Sequence, residues 1–160
     1  MFVSAAWRDV PRPDFIDVAA AVLPPGAPVD PRLWASEIFS INAAPLSVRV
    51  LMLLRQIVVP VLRIPRGTRS VFAVHEVVGE EALIVKDDVH LDFRAGVGVD
   101  AERGLVRVTT VVRLKGWRGR LYFLPVRLLH SVVLHAMLRA ACRRVAAVTD
   151  ARGPEPNAQW

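Results

Sequence analysis

Cysteine is almost absent from the sequence, and its scarcity excludes two kinds of site. The single cysteine, Cys142, leaves no partner for an internal disulfide and no cluster of cysteine ligands for a metal ion. The four histidines have none of the close spacings typical of metal ligands, so we expect neither a metal nor a cofactor. One cysteine, together with an N-terminus that lacks the basic start and apolar core of a signal peptide, predicts a cytoplasmic protein.

Long uncharged apolar runs are also missing, although 53% of the residues are hydrophobic. The two most apolar stretches, residues 46–65 and 121–142, both contain arginine and proline, and their longest run without a charged residue is Leu128 to Leu138. A membrane-spanning helix needs about 20 mostly apolar residues, so none is predicted. Peripheral contact with a membrane stays open, and the apolar excess excludes a disordered chain.

Charge is distributed unevenly along the chain. The net charge of +6 divides into +3 for residues 1–70, −6 for residues 71–102 and +9 for residues 103–160. A basic C-terminal third can attract a membrane surface, an acidic partner or nucleic acid. Because no zinc-finger spacing, helix-turn-helix pattern or aromatic-interleaved basic stretch accompanies this charge, we expect no specific binding of nucleic acid.

The length of 160 residues predicts one domain, over residues 14–148, with flexible tails at 1–13 and 149–160. Asp30 and Pro31 suit the start of a helix, Gly79-Glu80 suits a type II′ hairpin turn, and Pro125 is expected to kink or break the last helix. In order, apolar periodicity predicts a strand at 14–23, helices at 31–41 and 46–64, strands at 71–78, 81–86, 90–99 and 105–114, and a long helix at about 118–148.

The last two strands alternate between apolar and polar residues, which assigns their side chains to two faces. Pairing Val99 with Gly104 keeps the apolar faces together. This register places Arg113 opposite His90 and Thr109 opposite Arg94.

The order of one strand, two helices, a run of antiparallel strands and a long C-terminal helix is that of the helix-grip fold, an α+β architecture. Three segments also resemble a bacterial family, domain of unknown function 2867: Pro24–Phe39, Asp87–Arg94, and Leu124 through His130 to Arg139. The resemblance implies membership of the START and Bet v 1-like (SRPBCC) superfamily and, in some members, a preceding reductase-like domain. It supplies no catalytic residues.

In a helix-grip fold the sheet curves around the long helix, and the cavity between them suits an apolar or amphipathic ligand. His130 projects from the apolar side of this helix, about 140° from His135, and is either a core histidine bonded to the backbone or a ligand-binding group. The candidate cavity residues are Leu91, Phe93, Thr110, Val112, Tyr122, His130 and Leu134, and the inward set also includes Leu124.

A second candidate is the polar face of the sheet, which carries His90, Asp92, Arg94 and Arg113. A carboxylate beside a histidine can support acid–base chemistry. We favour a solvent-facing ladder of charge pairs, with a partner-binding face as the next interpretation and catalysis as the last.

Three functions remain open. The favoured one is binding of an apolar small molecule without catalysis. The second is an interaction or accessory domain, as a homodimer or beside a reductase-like partner, because the predicted helix 46–64 is apolar on most of its circumference. The third is a cyclase- or hydratase-like enzyme, which depends on fold analogy and His130.

Overall fold

The computed structural model describes residues 4–40 and 73–152 of the chain. A short 3-10 helix, Ala5–Trp7, precedes the first strand. The strands are β1 (Phe15–Val22), β2 (Val74–Val78), β3 (Glu81–Asp87), β4 (Leu91–Asp100) and β5 (Leu105–Leu114), and the α-helices of this part are α1 (Pro31–Ile38) and α2 (Gly116–Arg152).

The five strands form one antiparallel sheet in the order β1-β5-β4-β3-β2. Strands β2 to β5 follow one another as a meander, whereas β1 joins the sheet at the edge beside β5. The long C-terminal helix packs against this sheet, so the molecule is an α+β protein as predicted.

Both α-helices pack on the same face of the sheet, where the main hydrophobic core lies. Asp30 caps α1, since its carboxylate accepts a hydrogen bond from the backbone of Arg32 at 2.9 Å, and this aims Trp34 and Ile38 into the core. Helix α2 contributes Leu138 and Ala141 to the same core. The central strands supply a layer of small β-branched side chains beneath the helices: Val97, Val99, Val106 and Val108.

The sequence predicted two short helices after β1, and the described residues contain one of them. The structure describes α1 where a helix at 31–41 was expected, and the prediction for residues 46–64 lies outside the described residues. The long helix extends beyond the predicted 118–148 at both ends and continues through Pro125. Pro125 removes one N–H donor and crowds the carbonyl of the preceding turn, but it lies on the exposed side of α2 and the helix continues past it, so the expected break is wrong.

The register of β4 with β5 also differs from the prediction. Val99 pairs with Val106, which places Arg113 opposite Asp92 and Arg94 opposite Val111. The reason is the turn, which has the expected four residues but lies one residue later, at 101–104. Asp100 now pairs with Leu105 and accepts a hydrogen bond from the backbone of Arg103 at 2.9 Å, and Gly104, with φ +62°, ends the turn. Because the slip is two residues, each side chain keeps its predicted face.

Residues 4–6 and Val10 are buried against the sheet, although the sequence predicted a flexible tail over residues 1–13. Ala6 and Val10 bury themselves against Leu83 and Val111 on the face opposite α2. Glu81, also on this face, accepts hydrogen bonds from the hydroxyl of Ser4 and the backbone N–H of Ala5, both at 2.6 Å. This second face is therefore partly covered.

Gly96 makes room for this anchor. A Cβ at position 96 would collide with the carboxylate of Glu81 and lie 2.8 Å from the Ser4 hydroxyl oxygen. The absence of a side chain lets the Glu81 side chain cross β4 and reach the N-terminal segment.

Replacing Glu81 by alanine should release the N-terminal segment, because a buried hydroxyl and a buried N–H lose their acceptor. We expect the free energy of unfolding to fall by about 1–3 kcal/mol and trypsin cleavage after the exposed Arg8 to accelerate. The neighbouring Glu80, which is exposed, provides the matched control Glu80→Ala. Equal cleavage rates in the two variants would contradict the anchoring role.

Candidate functional site

A polar contact joins the edge strand β1 to helix α2. The Nδ1 atom of His130 lies 2.8 Å from Oδ2 of Asp17, and the hydroxyl of Ser131 donates to the same oxygen at 2.8 Å. Asp17 and His130 are largely buried, with side chains 13% and 19% exposed. Two consecutive residues of the helix thus hold one carboxylate of the strand.

The geometry determines the tautomer of His130. An ionised carboxylate can only accept hydrogen bonds, so the nitrogen that faces Asp17 must carry hydrogen. In neutral imidazole the other nitrogen, Nε2, then has a free lone pair. Among the described residues no protein group hydrogen-bonds to Nε2, which leaves it able to accept a proton or a hydrogen bond from another molecule.

Aromatic rings flank this polar contact. Phe15 packs edge-on against His130 with ring centroids 5.2 Å apart, and against Phe123 with centroids 5.1 Å apart. Phe15 and Asp17 share a face of β1 because they are two residues apart, and Phe123 and His130 share a face of α2 because they are seven apart. The imidazole therefore has a polar neighbour on one side and an apolar one on the other.

Burial and hydrogen bonding act in opposite directions on Asp17. Burial raises the pKa of the carboxyl, but the hydrogen bonds from His130 and Ser131 and the attraction of His130 outweigh it, so the pKa of Asp17 lies below its usual 3.8. Asp17 is consequently ionised at neutral pH, as the tautomer argument requires.

Most of the predicted cavity residues lie on the sheet face that carries the helices. Thr110 lies opposite Asp17, Val112 opposite Phe15, and Phe93 opposite Val112, so these residues continue the face of Asp17 from β1 through β5 to β4. Leu134 is buried in the core one turn beyond His130 along the helix, and Leu91 shares the strand face of Phe93. The side chain of Tyr122 lies outside the described ones.

Leu124 departs from the prediction, because 59% of it is exposed. It lies about 100° around the helix from Phe123, which is the residue that faces the sheet. The inward face of α2 is therefore defined by Phe123, His130 and Leu134.

Two residues of the predicted polar cluster, Asp92 and Arg94, form ion pairs with residues outside it. Arg94 is buried and bonds to Asp87 at 2.5 Å, while Asp92 pairs with Lys115 at 2.5 Å. The hydrogen bond from Arg94 holds the pKa of Asp87 below its usual value. His90 contributes its backbone carbonyl, which accepts from Lys115, and Arg113 is exposed.

Sequence reasoning missed Asp17, the partner that gives His130 its orientation. The available signal was its place as the one charged residue in the apolar strand Phe15–Val22, on the alternating face that also carries Phe15 and Ala19. No local pattern connects it to His130, which is 113 residues away.

Other potential reactive groups are accounted for by packing. Burial raises the pKa of the Cys142 thiol, which keeps it protonated and a poor nucleophile. Within residues 4–40 and 73–152 there is no group of histidine, cysteine and acidic side chains arranged to hold a metal ion.

Comparison with known proteins identifies one family. The family model described as protein of unknown function (DUF2867) matches residues 10–137, which include β1, α1 and the Asp17–His130 contact, and this confirms the resemblance. No curated protein and no solved structure matches the chain.

Asp17→Asn should weaken the contact between β1 and α2. We expect a loss of about 1–3 kcal/mol in the free energy of unfolding at pH 7, since the carboxylate is a largely buried hydrogen-bond acceptor. Because the folded pKa lies below the unfolded value, this contribution is complete well above pH 3.8 and is lost as the pH falls through the lowered pKa.

Urea unfolding over a range of pH measures this effect. The difference between wild type and Asp17→Asn should narrow below pH 3.8, whereas Asp150→Asn, at an exposed position on α2, should match wild type throughout. A difference that stays constant into acid would show that the charge of Asp17 does not stabilise the fold.

Proposed function

Because the chain belongs to a family of proteins of unknown function, DUF2867, we propose its function from the geometry of the site: the domain binds an amphipathic small molecule between the sheet and α2. The observation that carries this proposal is the Asp17–His130 pair, set beside Thr110 and Ser131 in a largely apolar layer. Ligand sites typically combine apolar walls with a few oriented polar groups.

The site specifies the chemistry of the ligand. Nε2 of His130, to which no described residue hydrogen-bonds, can accept a hydrogen bond, so the polar end of the ligand carries a donor such as a hydroxyl or an acid group. Phe15 and Phe123 offer apolar surface beside that nitrogen, and Phe93 and Val112 extend it along the sheet. The imidazole remains 19% exposed, which leaves a small molecule a route to it.

We propose the helix-grip architecture of the START and Bet v 1-like superfamily as the finer description of the fold. Its support is an antiparallel sheet that carries a long C-terminal helix on one face. On this proposal the ligand contacts the inward residues of sheet and helix, among them Thr110, His130 and Leu134.

Acid–base catalysis on the bound molecule is a second candidate function. It is favoured by the Asp17–His130 geometry, because a carboxylate on Nδ1 orients the ring and stabilises the imidazolium that forms when Nε2 takes a proton. Ser131 is excluded as the nucleophile of such a pair, since its hydroxyl donates to Asp17 and does not face Nε2.

Native mass spectrometry of gently purified protein, paired with organic extraction, tests ligand binding. We expect a near-stoichiometric small molecule in wild type and in His135→Ala, and its loss in His130→Ala. His135 is the matched control because it lies on α2, but its hydrogen bond within residues 4–40 and 73–152 is to the backbone carbonyl of Ser131, at 2.8 Å. Circular dichroism checks that each variant is folded.

The competing explanation is that Asp17 and His130 only hold the helix to the sheet. It predicts equal occupancy, or no occupant, in wild type and His130→Ala, with a lower melting temperature as the one effect of the substitution. That result would contradict the proposed function.

A further inference from the structure

The N-terminal half of α2 exposes a row of large apolar side chains, which we call the α2 stripe: Trp117, Leu121, Leu124, Leu128 and Val132. Their exposed fractions range from 51% to 75%. At about 100° per residue they fall within an arc of about 80°, opposite Phe123, His130 and Leu134, which face the sheet. The stripe thus points away from the core and from the proposed ligand site.

Positive charge accompanies the stripe. Arg118, Arg120 and Arg127 are exposed beside it, and the sequence contains no acidic residue from Arg103 through Thr149. An apolar row flanked by arginines, with a tryptophan near the start of the helix, has the composition of a helix that lies in the interface of an anionic membrane.

The same charge argues against two other occupants. A second copy of α2 would place arginine against arginine along the contact, because α2 offers no acid until Asp150. Residues 41–72 of the chain carry five arginines and no acid, so they offer no better complement. Like charges brought together and desolvated oppose either pairing.

The stripe has a defined length. It covers about 24 Å of helix, and beyond Val132 the same side of α2 carries the exposed Arg139 and Arg143. By length and composition alone α2 could cross a membrane, a test that core helices of soluble proteins also pass. Its opposite side bonds to Asp17 and packs in the core, which favours a helix lying on the surface over one that spans it.

We infer that the α2 stripe docks the domain flat on an anionic phospholipid surface, with the apolar side chains among the acyl chains and the flanking arginines at the phosphates. This surface is separate from the site of His130, so docking does not depend on the proposed ligand.

Co-sedimentation of the full chain with lipid vesicles tests the docking. Vesicles of phosphatidylcholine containing phosphatidylserine should bind wild type about tenfold more tightly than vesicles of phosphatidylcholine alone, and added salt should reduce this difference. Equal binding to both vesicles, or binding to neither, would overturn the inference.

Two variants locate the contact. Leu124→Glu/Leu128→Glu should reduce binding about tenfold, since two apolar contacts become like-charged with the lipid. The matched control Val89→Glu alters a site 72% exposed, close to the 75% of Leu128, but outside α2, and should bind as wild type. Arg120→Gln/Arg127→Gln leaves the apolar row intact and should reduce only the preference for phosphatidylserine.

Two further results would assign the stripe to another occupant and overturn the inference. Light scattering that finds a wild-type dimer, which Leu124→Glu/Leu128→Glu converts to a monomer, would show that a second copy covers it. A melting temperature lower in this variant than in Val89→Glu, with unchanged vesicle binding, would show that the chain itself covers it.

Discussion

The carboxylate of Asp17 is the constraint on which the arrangement of strand and helix depends. A largely buried carboxylate is costly unless its charge is met by donors, and here the backbone of Val18 and two side chains from one turn of α2 supply them. Because His130 and Ser131 must both reach Oδ2 of Asp17, this contact sets the position of α2 along β1 and its rotation about its own axis. That rotation in turn decides which residues meet Phe15 and the sheet, and which side of the helix is left to solvent.

The two faces of the sheet are stabilised in different ways. The face beneath the helices is largely apolar, apart from Asp17 and Thr110, and depends on close packing of small branched side chains against Trp34 and Leu138. The other face buries Glu81, whose charge is satisfied only because Gly96 leaves space for the N-terminal segment to approach. On each face a buried carboxylate bonds to a segment distant in sequence. Asp17 holds helix α2 to the sheet through His130, and Glu81 holds the N-terminal segment through Ser4.

Much of the fold could be predicted from the sequence, because alternation with period two identifies strands and assigns their faces. The same periodicity could not determine the register of β4 with β5, since a slip of two residues leaves every face unchanged and the side chain of Asp100 decides the turn.

His130 could be placed on the inward side of its helix from its angle to His135. Its partner could not be found, because pairing with Asp17 depends on where the helix crosses an edge strand. Periodicity also missed the exposure of Leu124, since an apolar residue on a helix indicates burial only if something covers it.

The position of β1 in the sheet has a consequence for folding. Strands β2 to β5 can pair as successive hairpins while the chain is being made. Strand β1 cannot, because Phe15 pairs with Val112 and Asp17 bonds to His130, which is 113 residues later in the sequence. Contacts between residues so far apart in sequence form slowly, because the chain loses the entropy of closing the loop before the contacts stabilise the fold. Although β1 is synthesised before β2 to β5, it is therefore incorporated after them, and until then its apolar side chains are available to chaperones and to neighbouring unfolded chains.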